Sequence, residues 1–206
     1  MTAAPLARPT LATVLWPSPA LSPALRAVVL AILGAVLLTV SAKVQIPFYP
    51  VPMTLQPLVV VLIGAVYGPR LGAATVLLYL AEGAAGLPVF AGTPDKGIGI
   101  AYMAGPTGGY LAGFVLAAFL VGRLAERGWD RAAVTAFAAM LAGIAAIYLP
   151  GVAWLATLVG TDKALAYGLY PFIWGDLLKI ALGTALLPAA WALAGRGGKV
   201  PERDGR

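Results

Sequence analysis

Two residues of opposite charge sit where neither is easily tolerated alone. Residues 171 to 195 read PFIWGDLLKIALGTALLPAAWALAG, one of the most apolar stretches of the chain, yet they include Asp176 and Lys179. At the centre of a membrane span each would cost roughly 2.5 to 3.5 kcal/mol. Positions three apart share a helix face, so the two can neutralise each other, face a polar interior, or both. With entry near Phe172, a rise of about 1.5 Å per residue puts them roughly 6 to 11 Å along the span. One reading is an ion pair that only stitches helices together. The other is a pocket for a small ligand offering both an acceptor and donors. Gly175 leaves room for close approach, and Phe172 and Trp174 supply either flat apolar walls or interfacial anchors.

Two further constellations could grip without charge. In IPFYPVPMTLQP, residues 46 to 57, Pro47, Pro50 and Pro52 favour an extended, low-entropy loop. Thr54 and Gln56 then enter the next span as uncharged hydrogen-bonding groups. In GLPVFAG (86 to 92) and AGPTGGYLAGF (104 to 114), Gly105, Gly108 and Gly109 flank Pro106 and begin another span. Free N–H groups at that helix start would suit an acceptor; close helix packing explains the glycines equally well.

The elements that must position these residues follow from composition. The chain has 206 residues, 61% hydrophobic and 11% charged, which is the balance of an integral membrane protein. Its 25 glycines and 17 prolines fit membrane helices, where neighbouring helices re-satisfy freed backbone groups. The period-two alternation of a transmembrane barrel is missing. Apolar runs predict an all-α bundle of six spans, at about 24–42, 53–68, 71–88, 106–122, 132–150 and 172–195. Gly68-Pro69-Arg70 makes a tight turn between the second and third. Pro150-Gly151 is expected to end the fifth span and leave a re-entrant or loop segment containing Trp154.

Three domains follow: a loosely ordered cytoplasmic lead at 1–23, a membrane domain at 24–195 and a cytoplasmic tail at 196–206. The lead shows no A-x-A-like cleavage site. Arg8, Arg26, Arg70, Arg123, Arg127, Arg131, Arg196, Lys199, Arg203 and Arg206 fall on the side of the termini, against Lys43, Lys96 and Lys163 on the other. The positive-inside rule then places both termini in the cytoplasm of a multi-pass plasma-membrane protein. Outside lie three irregular segments, 43–52, 89–105 and 151–171, rich in Pro, Gly, Tyr or Phe. They read either as cover folded over a ligand or as an aromatic belt at the interface.

Several functions are disfavoured. The net charge of +6 is accounted for by topology, so nucleic acid is not an expected partner. Without cysteine or histidine there is no thiolate or imidazole chemistry, and neither a metal site nor a cofactor is assigned. A serine protease is disfavoured because only Ser18, Ser22 and Ser41 occur and G-x-S-x-G does not. An aspartyl enzyme would have to pair Glu82 with Asp176, which already has Lys179 beside it. No catalytic residue is therefore assigned. GRGGKV at 195–200 lacks the spacing and hydroxyl of a phosphate-binding loop, so it is not read as an ATP site.

Ala27, Ala31 and Ala35 form a strict four-residue stripe that lets another helix approach closely. From spacing alone, that helix can belong to the bundle or to a partner.

VPMTLQPLVVVLIGAVYGPRLG, GAAGLPVFAG, GPTGGYLAGF and PFIWGDLLKIALG, in this order, closely resemble the BioY family. These are the biotin-specific substrate-binding (S) components of energy-coupling factor (ECF) transporters. The resemblance covers about residues 25 to 195. It implies a six-helix S component that captures biotin from outside. Its partners would be a transmembrane coupling subunit (EcfT/BioN type) and ATPase subunits (EcfA/BioM type). The family's G-D-x-x-K pattern is met by Asp176 and Lys179. The resemblance implies that both belong to the biotin site; from the chemistry of biotin, Asp176 is expected to accept a ureido N–H and Lys179 to donate to the ureido oxygen or the carboxylate. The expected ligand-binding set is Asp176, Lys179, Thr54, Gln56, Gly105, Thr107, Gly108 and Tyr110. By the same resemblance the Ala27, Ala31 and Ala35 stripe becomes a docking surface for the coupling subunit. The alternative is an S component or secondary transporter for another small vitamin.

Overall fold

The computed structural model describes residues 8–17, 22–46 and 49–197. Pro47, and the tail cations Lys199, Arg203 and Arg206, lie outside the described residues. In chain order the elements are α1 (Leu11–Leu15), α2 (Pro23–Lys43), a short hairpin of β1 (Gln45–Ile46) and β2 (Met53–Thr54), α3 (Gln56–Tyr67) and α4 (Pro69–Ala84). Then follow α5 (Gly99–Met103), α6 (Gly108–Glu126), α7 (Ala133–Val159), α8 (Thr161–Gly168), a 3-10 turn (Tyr170–Phe172) and α9 (Ile173–Gly197). The hairpin is antiparallel, with Gln45 opposite Thr54 and Ile46 opposite Met53.

Four stretches are long and apolar enough to cross a membrane: α2, α6, α7 and the run Thr161–Gly195. The second expected span is shorter than its apolar run suggests. Met53 and Thr54 belong to the hairpin, so Thr54 precedes the helix, and α3 has only 12 residues. That is about 18 Å of helix, against a hydrocarbon core of about 30 Å.

The expected break at Pro150 does not occur. α7 runs through it to Val159, which puts Trp154 on a helix, and α8 follows at once, so 151–171 is largely helical rather than irregular. Proline removes one backbone donor and crowds the preceding turn, but a neighbouring helix can hold such a site together. Here α6 does so by backbone contact. A Cβ on Gly113 would lie 2.6 Å from the Ile147 carbonyl oxygen, and one on Gly109 would lie 2.3 Å from that of Pro150. From the other side, Gly151 makes room for the Tyr110 ring.

The same helix is the spine of the bundle. Ala117, Ala118 and Val121 are fully buried. A Cβ on Gly122 would fall 2.4 Å from the Pro69 nitrogen, where Gly68, at φ +82°, turns α3 into α4. α6 thus touches α3, α4 and α7 along its length.

The chain start is not loose throughout. Leu11 is 1% exposed and α1 packs against α3 and α9. Polar ties hold it there: the Arg8 backbone N–H donates to the Glu126 carbonyl at 3.1 Å, and the Arg26 guanidinium donates to the Ala12 carbonyl. Leu11 and Ala12 are both buried, so the segment adds apolar packing at the bundle end.

Gly113 tests the backbone contact. Gly113→Leu should lower stability by about 1 to 3 kcal/mol, the usual cost of overpacking, seen as a reduced melting temperature of detergent-purified protein. An unchanged melting temperature would show that α6 and α7 are not in backbone contact.

Candidate ligand-binding site

Asp176 and Lys179 stand in the first two turns of α9, 4% and 8% exposed. Lys179 Nζ donates to Asp176 Oδ1 at 2.7 Å, and the Tyr148 hydroxyl of α7 donates to Asp176 Oδ2. Each carboxylate oxygen therefore has one protein donor. Two of the three ammonium N–H bonds keep no protein acceptor among the described hydrogen bonds.

The pair faces a cavity with about 600 Å³ of empty space, its open part included. Its walls come from the hairpin, α3, α5, α6, α7, α9 and the segments between them. The hairpin and α3 contribute Val51, Pro52, Thr54 and Gln56; α6 contributes Tyr110, Leu111 and Phe114; α7 contributes Ile144, Ile147 and Tyr148. Phe172, Thr107, Tyr102 and Ala91 complete it. The lining is mostly apolar, with the charged pair and Tyr148 in one cluster and Thr54, Gln56 and Thr107 as further polar groups.

Second-layer contacts hold the polar groups. Tyr110 donates to the Gly168 carbonyl at 2.8 Å and meets Tyr148 edge to face, with centroids 6.1 Å apart. Gln56 Nε2 donates to the Tyr79 hydroxyl at 2.7 Å, which fixes the amide and turns its own oxygen into the remaining acceptor. The site can therefore accept from and donate to a small polar group while burying an apolar body. Among the described residues no cluster of His, Cys, Asp or Glu could hold a metal ion.

Of the expected residues, Asp176, Lys179, Thr54, Gln56, Thr107 and Tyr110 come together on the cavity wall. Gly105 and Gly108 do not. The Gly108 N–H is not free, since it donates to the Gly105 carbonyl at 3.0 Å, and the Gly105 N–H donates to the Tyr102 carbonyl. The Gly105 carbonyl also accepts from Trp154 Nε1 at 2.9 Å. A Cβ on Gly108 would lie 1.9 Å from the Met103 oxygen, so its glycine serves a tight turn. Trp174 is 81% exposed and forms no wall, being on the far side of α9 from Asp176. Gly175 makes room for Met53 of the hairpin, whose sulfur would be 3.1 Å from a Cβ there.

The alanine stripe turns inward: Ala35 is fully buried, Ala31 is half-buried, and Ala27 borders a crevice with Tyr67 and Leu71. This burial favours packing of α2 on the bundle. Tyr148 is the site residue that sequence reading misses. Its signal is its position with Ile144 and Ile147 on one α7 face, spaced i, i+3 and i+4.

Removing one partner of a buried pair strands the other. Lys179→Met should destabilise by about 3 to 5 kcal/mol, and the double variant Asp176→Asn/Lys179→Met should recover most of the loss. Thermal melts of the three proteins measure it. If the double variant is no more stable than Lys179→Met, the pair is not energetically coupled.

Comparison with known proteins accords with this geometry. Residues 12–196 match the model of the BioY family. A probable biotin transporter BioY of Pyrococcus horikoshii is 43% identical over 145 residues, covering 70% of this chain and 83% of that protein. The biotin transporter BioY of Thermotoga maritima is 42% identical over 151 residues, covering 73% and 86%. That of Rhizobium etli is 38% identical over 164 residues, covering 71% and 86%. The fold resembles the crystal structure of the S-component for biotin from an ECF-type ABC transporter. The TM-score is 0.68 at 24% identity, over 84% of this chain and 95% of that one. With a match from the first buried helix to the end of the last, this chain belongs to the BioY family.

Proposed function

We propose that this chain is the S component of an ECF transporter, capturing biotin from outside and passing it to an energising module. The observation that carries this is the buried Asp176, Lys179 and Tyr148 cluster on the wall of a largely apolar cavity. Biotin presents matching chemistry: a ureido ring with two N–H donors and a carbonyl, a thioether ring, an aliphatic chain and a carboxylate. Asp176 would accept a ureido N–H, and Lys179 would donate to the ureido oxygen or the carboxylate. Phe114, Ile144, Ile147 and Phe172 would bury the apolar body.

The cavity would face outside. Arg26, Arg70, Arg123, Arg127 and Arg131 lie at the helix ends remote from the hairpin, together with α1, and Lys43 lies beside the hairpin. That asymmetry supports six membrane segments with both termini cytoplasmic, α3 and α4 being the shorter ones. The partners would be a transmembrane coupling subunit of the EcfT/BioN type and ATPase subunits of the EcfA/BioM type. An Ala31→Trp variant that binds biotin but loses co-purification with a coupling subunit would mark the stripe as a docking surface. Joint loss of both would mark it as bundle packing, which its burial favours.

The deciding experiment is a titration of detergent-purified protein with biotin, desthiobiotin and an unrelated vitamin. Saturable binding of biotin is expected, and Asp176→Asn should weaken it by about 1 to 3 kcal/mol, the value of a charged hydrogen bond. Preference for the unrelated vitamin would replace biotin as the cargo; unchanged biotin affinity in Asp176→Asn would remove the role of Asp176.

A further inference from the structure

Two segments cover the cavity beside the hairpin. The β1–β2 connection supplies Val51 and Pro52, and residues 89–93 supply Ala91. Residues 89–93 form neither helix nor strand; within the turn the Thr93 N–H and Oγ1 donate to the Phe90 carbonyl and the Lys96 N–H donates to that of Gly92, and the remaining partners come from elsewhere. Side chains of three different helices provide them. The Tyr79 hydroxyl of α4 donates to the Val89 carbonyl at 3.2 Å, and the Tyr102 hydroxyl of α5 donates to the Ala91 carbonyl at 2.8 Å. The Phe90 ring lies between these tyrosines, stacked on Tyr102 at 4.9 Å and edge-on to Tyr79 at 5.4 Å.

The third tie is Lys43, the last residue of α2. Its Nζ donates to the Phe90 carbonyl at 2.9 Å, the Thr93 carbonyl at 3.2 Å and Thr93 Oγ1 at 3.0 Å. An ammonium has three donors, and all three are used on this one segment. Lys43 also stands next to Val44, whose carbonyl receives the Leu55 N–H at 3.0 Å to close the root of the hairpin. It therefore joins one cover of the cavity to the other. Tyr79 and Tyr102 are buried, but Lys43 is exposed. Water can compete for its hydrogen bonds first, which makes this tie the place where the cover opens by local release.

We infer that Lys43 is a latch: its ammonium holds residues 89–93 closed over the cavity, and its release admits and frees the ligand. This rests on reading the cavity as the ligand site, but the latch can be tested without ligand. The chain has no cysteine, so Ala91→Cys places a single thiol in the cavity cover, where Ala91 is 4% exposed. Its labelling by a membrane-impermeant maleimide reports opening. In the Lys43→Met background labelling should accelerate at least about tenfold, as expected for loss of charge-assisted hydrogen bonds, and Lys43→Arg should restore slow labelling. An Ala117→Cys probe, buried in α6 away from the cavity, should stay unlabelled throughout. Equal labelling of Ala91→Cys with and without the Lys43→Met substitution overturns the latch, and so does parallel labelling of Ala117→Cys, which would mean general loosening. If Lys43→Met does not fold, Lys43→Gln takes its place, since it also removes the ammonium: faster labelling supports the latch and an unchanged rate overturns it. Biotin should slow labelling when Lys43 is retained; if it does not, the biotin reading fails while the ligand-free rates still decide the latch.

Discussion

A carboxylate and an ammonium removed from water must find each other, and much of this bundle is arranged around that requirement. Asp176 and Lys179 bond at 2.7 Å on one face of α9, and Tyr148 reaches the second carboxylate oxygen from α7. The cost of burying such a pair is recovered only with good geometry and additional hydrogen bonds. Tyr148 supplies one of those bonds, so α7 and α9 are held in a fixed relation. Among the described residues Lys179 has one protein acceptor for its three N–H bonds, and it lines the cavity.

The close approach of α7 to α6 makes that relation possible. Glycines along α6 bring the two backbones into contact, and the contact carries α7 past Pro150 instead of letting it end. A helix that stopped at Pro150 would lose the packing of Gly151 on Tyr110 and of Leu155 in the core. Tyr110, braced on Gly168, in turn sets the edge against which Tyr148 stands. Small residues here transmit position: the missing Cβ atoms let a neighbouring backbone, or at Gly151 the Tyr110 ring, come close.

The cover obeys a different rule. Residues 89–93 have no ladder of their own, so turn bonds at Phe90 and Gly92 are supplemented by aromatic hydroxyls and one lysine. A segment held by side chains from separate helices can be firm where those chains are buried and releasable where one is exposed. The hairpin shares this arrangement because Met53 packs against Gly175 just ahead of Asp176. Cover and polar cluster are therefore mechanically adjacent.

How much of this is legible in the chain depends on the range of the interaction. The pairing of Asp176 with Lys179 needs only helical spacing, and the membrane character needs only composition, so both can be read directly. Thr54, Gln56 and Tyr110 stand out because polar residues bordering apolar runs are costly unless used. Tyr148 does not, since a tyrosine two residues before a proline looks the same whether it meets lipid or a carboxylate. Trp174 misleads for the opposite reason: it neighbours the pair in sequence, yet a step of two residues along a helix turns it to the other side. Local propensity also ends α7 too early, because the stabilising contact comes from α6, some forty residues upstream. The sequence by itself determined that apolar helices would form and that one of them would bury an ion pair. Only the tertiary structure decided which face each helix turns inward, that Ala35 packs inside, and that Lys43 meets Thr93, because those choices depend on steric contacts between residues far apart in the chain.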